Sequence, residues 1–281
     1  MNRKWRLVTC VVLSVCAGVG ASVWLMYLRS GAPYNPTRRT ITNYQQIVRA
    51  EYAFHADHGY FPAGVATANR RTGLSWRVAV LPYLGEQERE LYQLFKLDEP
   101  WDSPVNAQLI ERMPPVFAPP KIPAPSGHTF VRSTQGYGGF MRLPESPLEP
   151  HNTPGQLLFA QSVAAGSSFG RSRNTIANGT VNTILFLEAG EPVPWTKPDE
   201  LTVSTQPDVV PKMPSLGGVF PDGFYAAFAD GTIRFFNRDF PSDLLLTYFD
   251  PSGNARDQYK GAQTALPKDA VHTEGLPELG K

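Results

Sequence analysis

"FYAAFADGTIRFF", Phe224–Phe236, sets two runs of aromatic, small and β-branched residues on either side of Asp230-Gly231. An Asp-Gly pair between alternating apolar runs is a strong short-range hairpin signal, because the glycine accepts a left-handed turn geometry without a steric cost. The stretch therefore predicts two antiparallel strands, Phe224–Ala229 and Thr232–Phe236. Alternation places Phe224, Ala226 and Phe228 on one face of the first. Upstream, residues 156–164 and 181–188 carry the same strand-like character. The second half of the chain thus reads as an antiparallel sheet.

The first half reads differently. Ile41, Tyr44, Ile47, Val48, Glu51, Tyr52 and His55 recur at three- and four-residue spacing, which predicts a helix over Ile41–Ala56 with one face directed at a core. Gly59 is a natural C-terminal stop and Pro62 follows it. Ser75–Leu84 and Glu86–Phe95 read as two further helical pieces, with Pro82 bending the first near its end. Residues 113–155 are Pro-rich, and "MPPVFAPPKIPAP" suits neither a regular helix nor a central strand. The residues after Pro251 are polar and predict a disordered tail. Helices first and strands later argue for an α+β fold in which a helix lies on an antiparallel sheet. The expected body is 41–250, preceded by a Pro/Gly-rich linker at 30–40 and followed by the tail at 251–281.

Charge and hydropathy divide the chain at its N-terminus. Leu7–Leu28 contains no charged residue and is long enough to cross a bilayer core, for which about 20 residues suffice. Arg3, Lys4 and Arg6 precede it and Arg29 follows. No Asp or Glu occurs before Glu51, so a basic N-terminus feeds an acidic body, although the whole chain has a net charge of only +1. The positive-inside rule then predicts a single-pass anchor of the cytoplasmic membrane, residues 1–29, with the body facing the periplasm. Two processing alternatives are a signal-peptide cut after Ala21, and a lipoprotein site at Cys16, where Val15 stands in the position normally held by a small residue. Both cysteines, Cys10 and Cys16, lie in this segment, so the body can hold neither a disulfide nor a cysteine metal site.

Candidate chemistry in the body is sparse. Asp98, Glu99 and Asp102 in "LDEPWDSP", residues 97–104, have the hard oxygens of a cation site, but Ser103 and Pro104 also suit the N-cap and first position of a helix over "VNAQLIERM". Negative charge there favours the positive helix end. The phrase Pro100-Trp101-x-x-Pro104 returns as Pro194-Trp195-x-x-Pro198, where Thr196 and Asp199 have capping-box spacing. Gly166-Ser167-Ser168-Phe169-Gly170 matches the nucleophile-elbow pattern, but a polar turn-forming stretch follows it where a helix is required. His55 and His58 have His-x-x-His spacing without a third ligand in sequence, and a histidine near a helix C-terminus is favoured by the dipole alone. Asn178-Gly179-Thr180 is formally a glycosylation sequon and also a common turn. Scattered basic residues give nucleic-acid binding no support. No catalytic, cofactor-binding or metal residue is assigned.

The segments "NYQQIVRAEYAFHADHGYFPAG", "LSWRVAVLPYLGEQERELYQLFKLDEPWDSP", "NGTVNTILFLEAGEPVPWTKPDEL" and "GFYAAFADGTIRFF", in this order, resemble a large family of planctomycete-type envelope proteins with a domain of unknown function. The resemblance covers about residues 41–240. It implies a pilin-like helix-on-sheet fold, commonly behind a prepilin-like N-terminus, and it carries no catalytic residues. Here no prepilin processing site precedes the apolar stretch. The histidine that the family often places before a terminal Asp-Gly pair is missing, with Phe220 near its position. The function expected is that of a membrane-anchored structural or interaction protein, not an enzyme. The rival expectation is a small-molecule or carbohydrate-binding module using Trp101 and Trp195.

Overall fold

In the computed structural model, the described residues are 35–66, 72–120, 122, 124–135, 140–141, 157–159, 176–203, 214–253 and 271–274. The first element, helix α1 (Pro36–His58), starts earlier than the apolar periodicity predicts and takes in part of the expected linker. Proline at the first helical position costs nothing, since its missing N–H would have no intrahelical partner, and its fixed φ is already helical. Helix α1 ends as expected: Gly59 adopts φ 82° and donates its N–H to the His55 carbonyl at 2.7 Å. Among the described residues no helix is long and apolar enough to cross a membrane; Leu7–Leu28 lies outside them.

Two short strands follow, β1 (Pro62–Ala66) and β2 (Thr72–Ser75). Next come α2 (Trp76–Ala79), α3 (Leu81–Leu84) and α4 (Glu86–Leu94), which divide the two helical pieces read from the sequence. Two 3₁₀ segments, Asn106–Arg112 and Pro115–Phe117, lead to β3 (His128–Arg132) and β4 (Thr134–Gln135). Strand β5 (Leu157–Phe159) is all that is described of the strand expected at 156–164. The 3₁₀ turn Thr180–Asn182 precedes β6 (Ile184–Pro194), and β7 (Leu201–Thr202), β8 (Gly223–Phe228) and β9 (Ile233–Asn237) follow. Helix α5 (Ser242–Phe249) and strand β10 (Val271–Glu274) complete the order.

The main sheet has five antiparallel strands in the order β10-β9-β8-β6-β3. A three-stranded antiparallel sheet, β2-β1-β5, and a parallel pair, β4-β7, lie apart from it. The fold is α+β. The hairpin forms where Asp230-Gly231 predicts it, through a loop in which Phe228 N–H bonds the Thr232 carbonyl and Gly231 N–H bonds the Phe228 carbonyl, each at 2.9 Å. Gly231 takes φ 89°, and the Asp230 carboxylate accepts from both the N–H and the hydroxyl of Thr232.

Both faces of this sheet are buried, which the expected helix-on-sheet arrangement does not include. Tyr225, Ala227, Ala229 and Ile233 join Tyr44, Ile47, Val48 and Phe54 of α1 in one core. Phe224, Ala226, Phe228 and Phe236 join Leu244, Leu245, Leu246 and Phe249 of α5 in a second. A register shift between Ile184 and Phe186 breaks the alternation of β6, so Leu185 and Phe186 both belong to the α1 core, where Phe186 meets Tyr44 edge-on at 5.1 Å. The Tyr52 hydroxyl, also on α1, donates to the Ala229 carbonyl at the end of β8.

Two expectations are corrected. The Pro-rich region 113–155 contributes β3, an edge strand of the main sheet, because no proline falls between Pro125 and Pro144 and Thr129-Phe130-Val131 is free to pair with β6. The tail contributes β10, with Val271 opposite Phe236 and Glu274 opposite Ile233. A polar composition limits burial but leaves the backbone able to pair with the exposed edge of β9. If the second core is as integral as the first, Leu245→Ala should cost about 2–5 kcal/mol, comparable to Ile47→Ala. Denaturant unfolding of the two variants checks this, and a cost well under that range for Leu245 alone would relegate α5 to a surface attachment.

Candidate functional site

The stretch "LDEPWDSP" is wrapped around one buried side chain that the sequence reading does not single out. The Asn106 carboxamide accepts the Lys96 N–H at 2.9 Å and donates to the carbonyls of Lys96, Pro100 and Glu99 at 2.9, 3.0 and 3.2 Å. The Ser103 hydroxyl accepts the Asn106 N–H at 3.3 Å, and the Ser103 carbonyl accepts from Ala107 at 2.9 Å. Ser103 thus does part of the expected capping, but Pro104 does not open an α-helix. The helical segment is 3₁₀ and begins at Asn106. An Asn side chain bonded back to the preceding loop competes with helical pairing, and this is the signal by which Asn106 could have been found. Asp98 and Asp102 are exposed and Glu99 is half-buried. Among the described residues no three His, Cys, Asp or Glu side chains converge as metal ligands.

The echo at Trp195 is also not a helix start. Strand β6 ends at Pro194, and a turn follows. Trp195 is fully buried, stacked at 6.0 Å on Phe117 and edge-on at 5.8 Å to Phe95, with its indole N–H donated to the Ile110 carbonyl at 3.0 Å. Asp199 caps nothing. It receives Arg132 Nη2 and Lys197 Nζ, each at 2.7 Å. Burial alone would raise its pKa, but the Lys197 hydrogen bond and the neighbouring Arg132 charge hold it below the usual carboxylate value. Trp101 is half-buried, with Lys197 Nζ 5.8 Å from its ring centre. One tryptophan is therefore core and the other partly surface, so they do not form a shared binding face.

What Trp195 and its turn do surround is Arg77, whose side chain has no exposure to water. Ser75 caps α2 by accepting the Arg77 N–H at 3.3 Å, and the short helix aims the guanidinium into the interior. Nε donates to the Trp195 carbonyl at 2.8 Å, Nη1 to Val131 at 2.9 Å and Nη2 to Lys197 at 2.7 Å. Glu200, equally buried, lies 3.2 Å from Nη1 and accepts the Ser133 N–H at 2.6 Å. Burial pulls the guanidinium below its ordinary pKa, and Glu200 opposes that pull. One side chain thus ties α2 to β3, to the turn after β6 and to the residue before β7.

Two further carboxyls are buried beside this network. Burial, reinforced by the charge of Glu200, pushes Glu51 of α1 well above its usual value. Burial raises Glu188 of β6 to about 8, against the opposing 2.9 Å hydrogen bond from the Tyr225 N–H. Tyr44, fully buried nearby, is likewise pushed up by burial and then by Glu188.

A family model described as a protein of unknown function (DUF1559) matches residues 39–209, more than half of the chain. The chain belongs to the DUF1559 family. The DUF1559 match takes in α1 from Arg39 onward, Arg77, Glu188, Trp195 and Glu200, and stops before the β8–β9 hairpin and α5. No curated protein and no solved structure matches this DUF1559 chain.

The remaining sequence candidates resolve into structure. Asn178 is 5% exposed, and its amide nitrogen donates to the Asn182 and Thr247 carbonyls, each at 2.8 Å, so the sequon asparagine is a buried link between the turn before β6 and α5. Phe220, near the position of the missing histidine, packs edge-on against Tyr225 at 5.3 Å. His58 stacks on Phe54 at 4.1 Å and its Nδ1 meets the Phe54 carbonyl at 3.0 Å, while His55 lies 4.8 Å from Phe61. Ser168 lies outside the described residues.

Two outcomes follow from these buried charges. Arg77→Ala leaves buried Glu200 without its cationic partner and strips three carbonyls of the guanidinium donor, so it should destabilise the fold by about 3–5 kcal/mol in denaturant titrations. Glu188 binds its proton more tightly folded than unfolded, with its pKa raised from 4.5 to about 8. Its contribution to stability is complete below pH 4.5, declines as pH rises towards 8 and is absent above. Glu51 acts in the same direction. Denaturation midpoints of Glu188→Gln measured across that window should fall less steeply than those of the wild type.

Proposed function

We propose that this DUF1559 protein is a membrane-anchored, extracytoplasmic structural or interaction protein of the cell envelope, pilin-like in build and without catalytic activity. The observation that carries this reading is the joining of Leu7–Leu28, uncharged and preceded by Arg3, Lys4 and Arg6, to a body led by a long helix laid against an antiparallel sheet. The anchor would hold the body at the periplasmic side of the cytoplasmic membrane, and loops of the 113–155 region would meet other envelope proteins. The internal charges support a structural reading, since Arg77 and Glu200 are engaged in joining backbone segments. The two-tryptophan binding reading loses its basis with the burial of Trp195.

Carbonate extraction of membranes should leave the intact chain in the pellet, and crosslinking in the native envelope should join it to other envelope proteins through residues of the body. A full-length chain in the carbonate supernatant would end the anchor reading. A shortened soluble species would instead locate a cut after Ala21.

A further inference from the structure

Between α1, β6 and the chain at Ala118–Pro120 lies a cavity with about 10 Å³ of water-accessible space. Its lining is mostly apolar, including Val116, Phe130 and Val219, but four polar residues also border it: Thr40, Asn43 and Tyr44 from α1, and Glu188 from β6. Asn43 is half-buried and its amide donates to the Pro115 carbonyl at 3.5 Å, whereas Thr40, Tyr44 and Glu188 are 2%, 3% and 2% exposed. Among the described residues neither the Thr40 hydroxyl nor the Tyr44 hydroxyl has a hydrogen-bond partner. Buried hydroxyls are almost always paired, with protein or with ordered water, because an unpaired one has lost its solvation without compensation. Two such groups beside one small cavity share a single explanation.

We infer that this cavity is a binding site for one ordered water molecule, held by the Thr40 hydroxyl, the Tyr44 hydroxyl and the Glu188 carboxyl. The volume is close to that of one water, and a buried water needs two to four polar partners, which these three side chains supply. The geometry of Glu188 suits the role, because the Tyr225 N–H holds Oε2 at 2.9 Å and orients the carboxyl. Burial keeps that carboxyl protonated to about pH 8, so the site attracts a neutral hydrogen-bonding molecule in preference to a cation. The water would join the start of α1 to the middle of β6, where the protein itself makes no polar link between these side chains.

The test is a crystal structure of the intact chain at a resolution that shows ordered solvent, for the wild type and for the Thr40→Val/Tyr44→Phe double variant, which keeps side-chain shape while deleting both hydroxyls. The expected wild-type result is one density peak within about 2.6–3.2 Å of both Thr40 Oγ1 and Tyr44 Oη. The peak should be lost in the double variant, and oxygen-17 relaxation dispersion should register one fewer long-lived water. An empty wild-type cavity would overturn the inference. So would a direct Tyr44–Glu188 hydrogen bond, or a peak with the shorter distances of a bound cation. If the double variant fails to fold, the wild-type density decides alone.

Discussion

A guanidinium without access to water has to find its hydrogen bonds inside the protein, and Arg77 finds them on segments far apart in sequence. The carbonyls of Val131, Trp195 and Lys197 and the carboxylate of Glu200 converge on it. Burying such a charge is costly, and it is tolerated only with close to full hydrogen-bond satisfaction. That requirement constrains everything around it. Strand β3 must lie beside β6, the chain must turn at Trp195, and Glu200 must arrive just before β7. Glu200 in turn fixes Ser133 through its backbone N–H, which sets where β4 begins. The Trp76 ring lies 5.5 Å from the guanidinium carbon, and the rings of Phe95, Phe117 and Trp195 pack on one another in the same core. The low dielectric that results is the same environment that raises the carboxyls of Glu51 and Glu188.

The main sheet separates two cores with different characters. The α1 side holds the buried ionisable groups and the aromatic cluster around Trp76 and Trp195. The α5 side is almost wholly hydrocarbon, with Phe224, Phe228 and Phe236 stacked beneath three consecutive leucines. Strand β8 serves both by simple alternation, which is why all of its residues are buried. Strand β6 serves both by an irregularity, the register shift that turns Leu185 and Phe186 to the same side. The DUF1559 match spans both sides of this division, since Ile184, Leu187 and Leu201 of the second core lie within it, while β8, β9 and α5 fall beyond it.

Helix α1 is the element nearest the proposed anchor in sequence, and it meets the sheet through Tyr44 against Phe186 and through the Tyr52 hydroxyl on Ala229. These contacts join α1 to β6 and to the end of β8, strands in the middle of the main sheet. "LDEPWDSP" belongs to the same framework. Its carboxylates stay at or near the surface while its backbone is gathered around Asn106, so the phrase is a folding device more than a ligand site.

The sequence alone determined the features set by local rules. The heptad-like spacing of Ile41–His55 marks α1, Gly59 marks its end, and Asp230-Gly231 marks the hairpin, because helix period, left-handed φ and turn geometry depend on near neighbours. It also determined the α+β class through the order of its elements. Only the tertiary structure decided the rest. The role of Arg77 depends on carbonyls more than fifty residues away in sequence. The strand at His128–Arg132 exists because β6 offers it an edge, and β10 exists because β9 does. Helix α5 is a short apolar run whose period cannot separate helix from strand, and the second face of the sheet settles its form. Trp101 and Trp195 carry the same local phrase, yet one lies partly at the surface and the other is sealed in the core. Spacing describes what a segment can become, while burial and hydrogen-bond partners come from segments that meet only when the chain has folded.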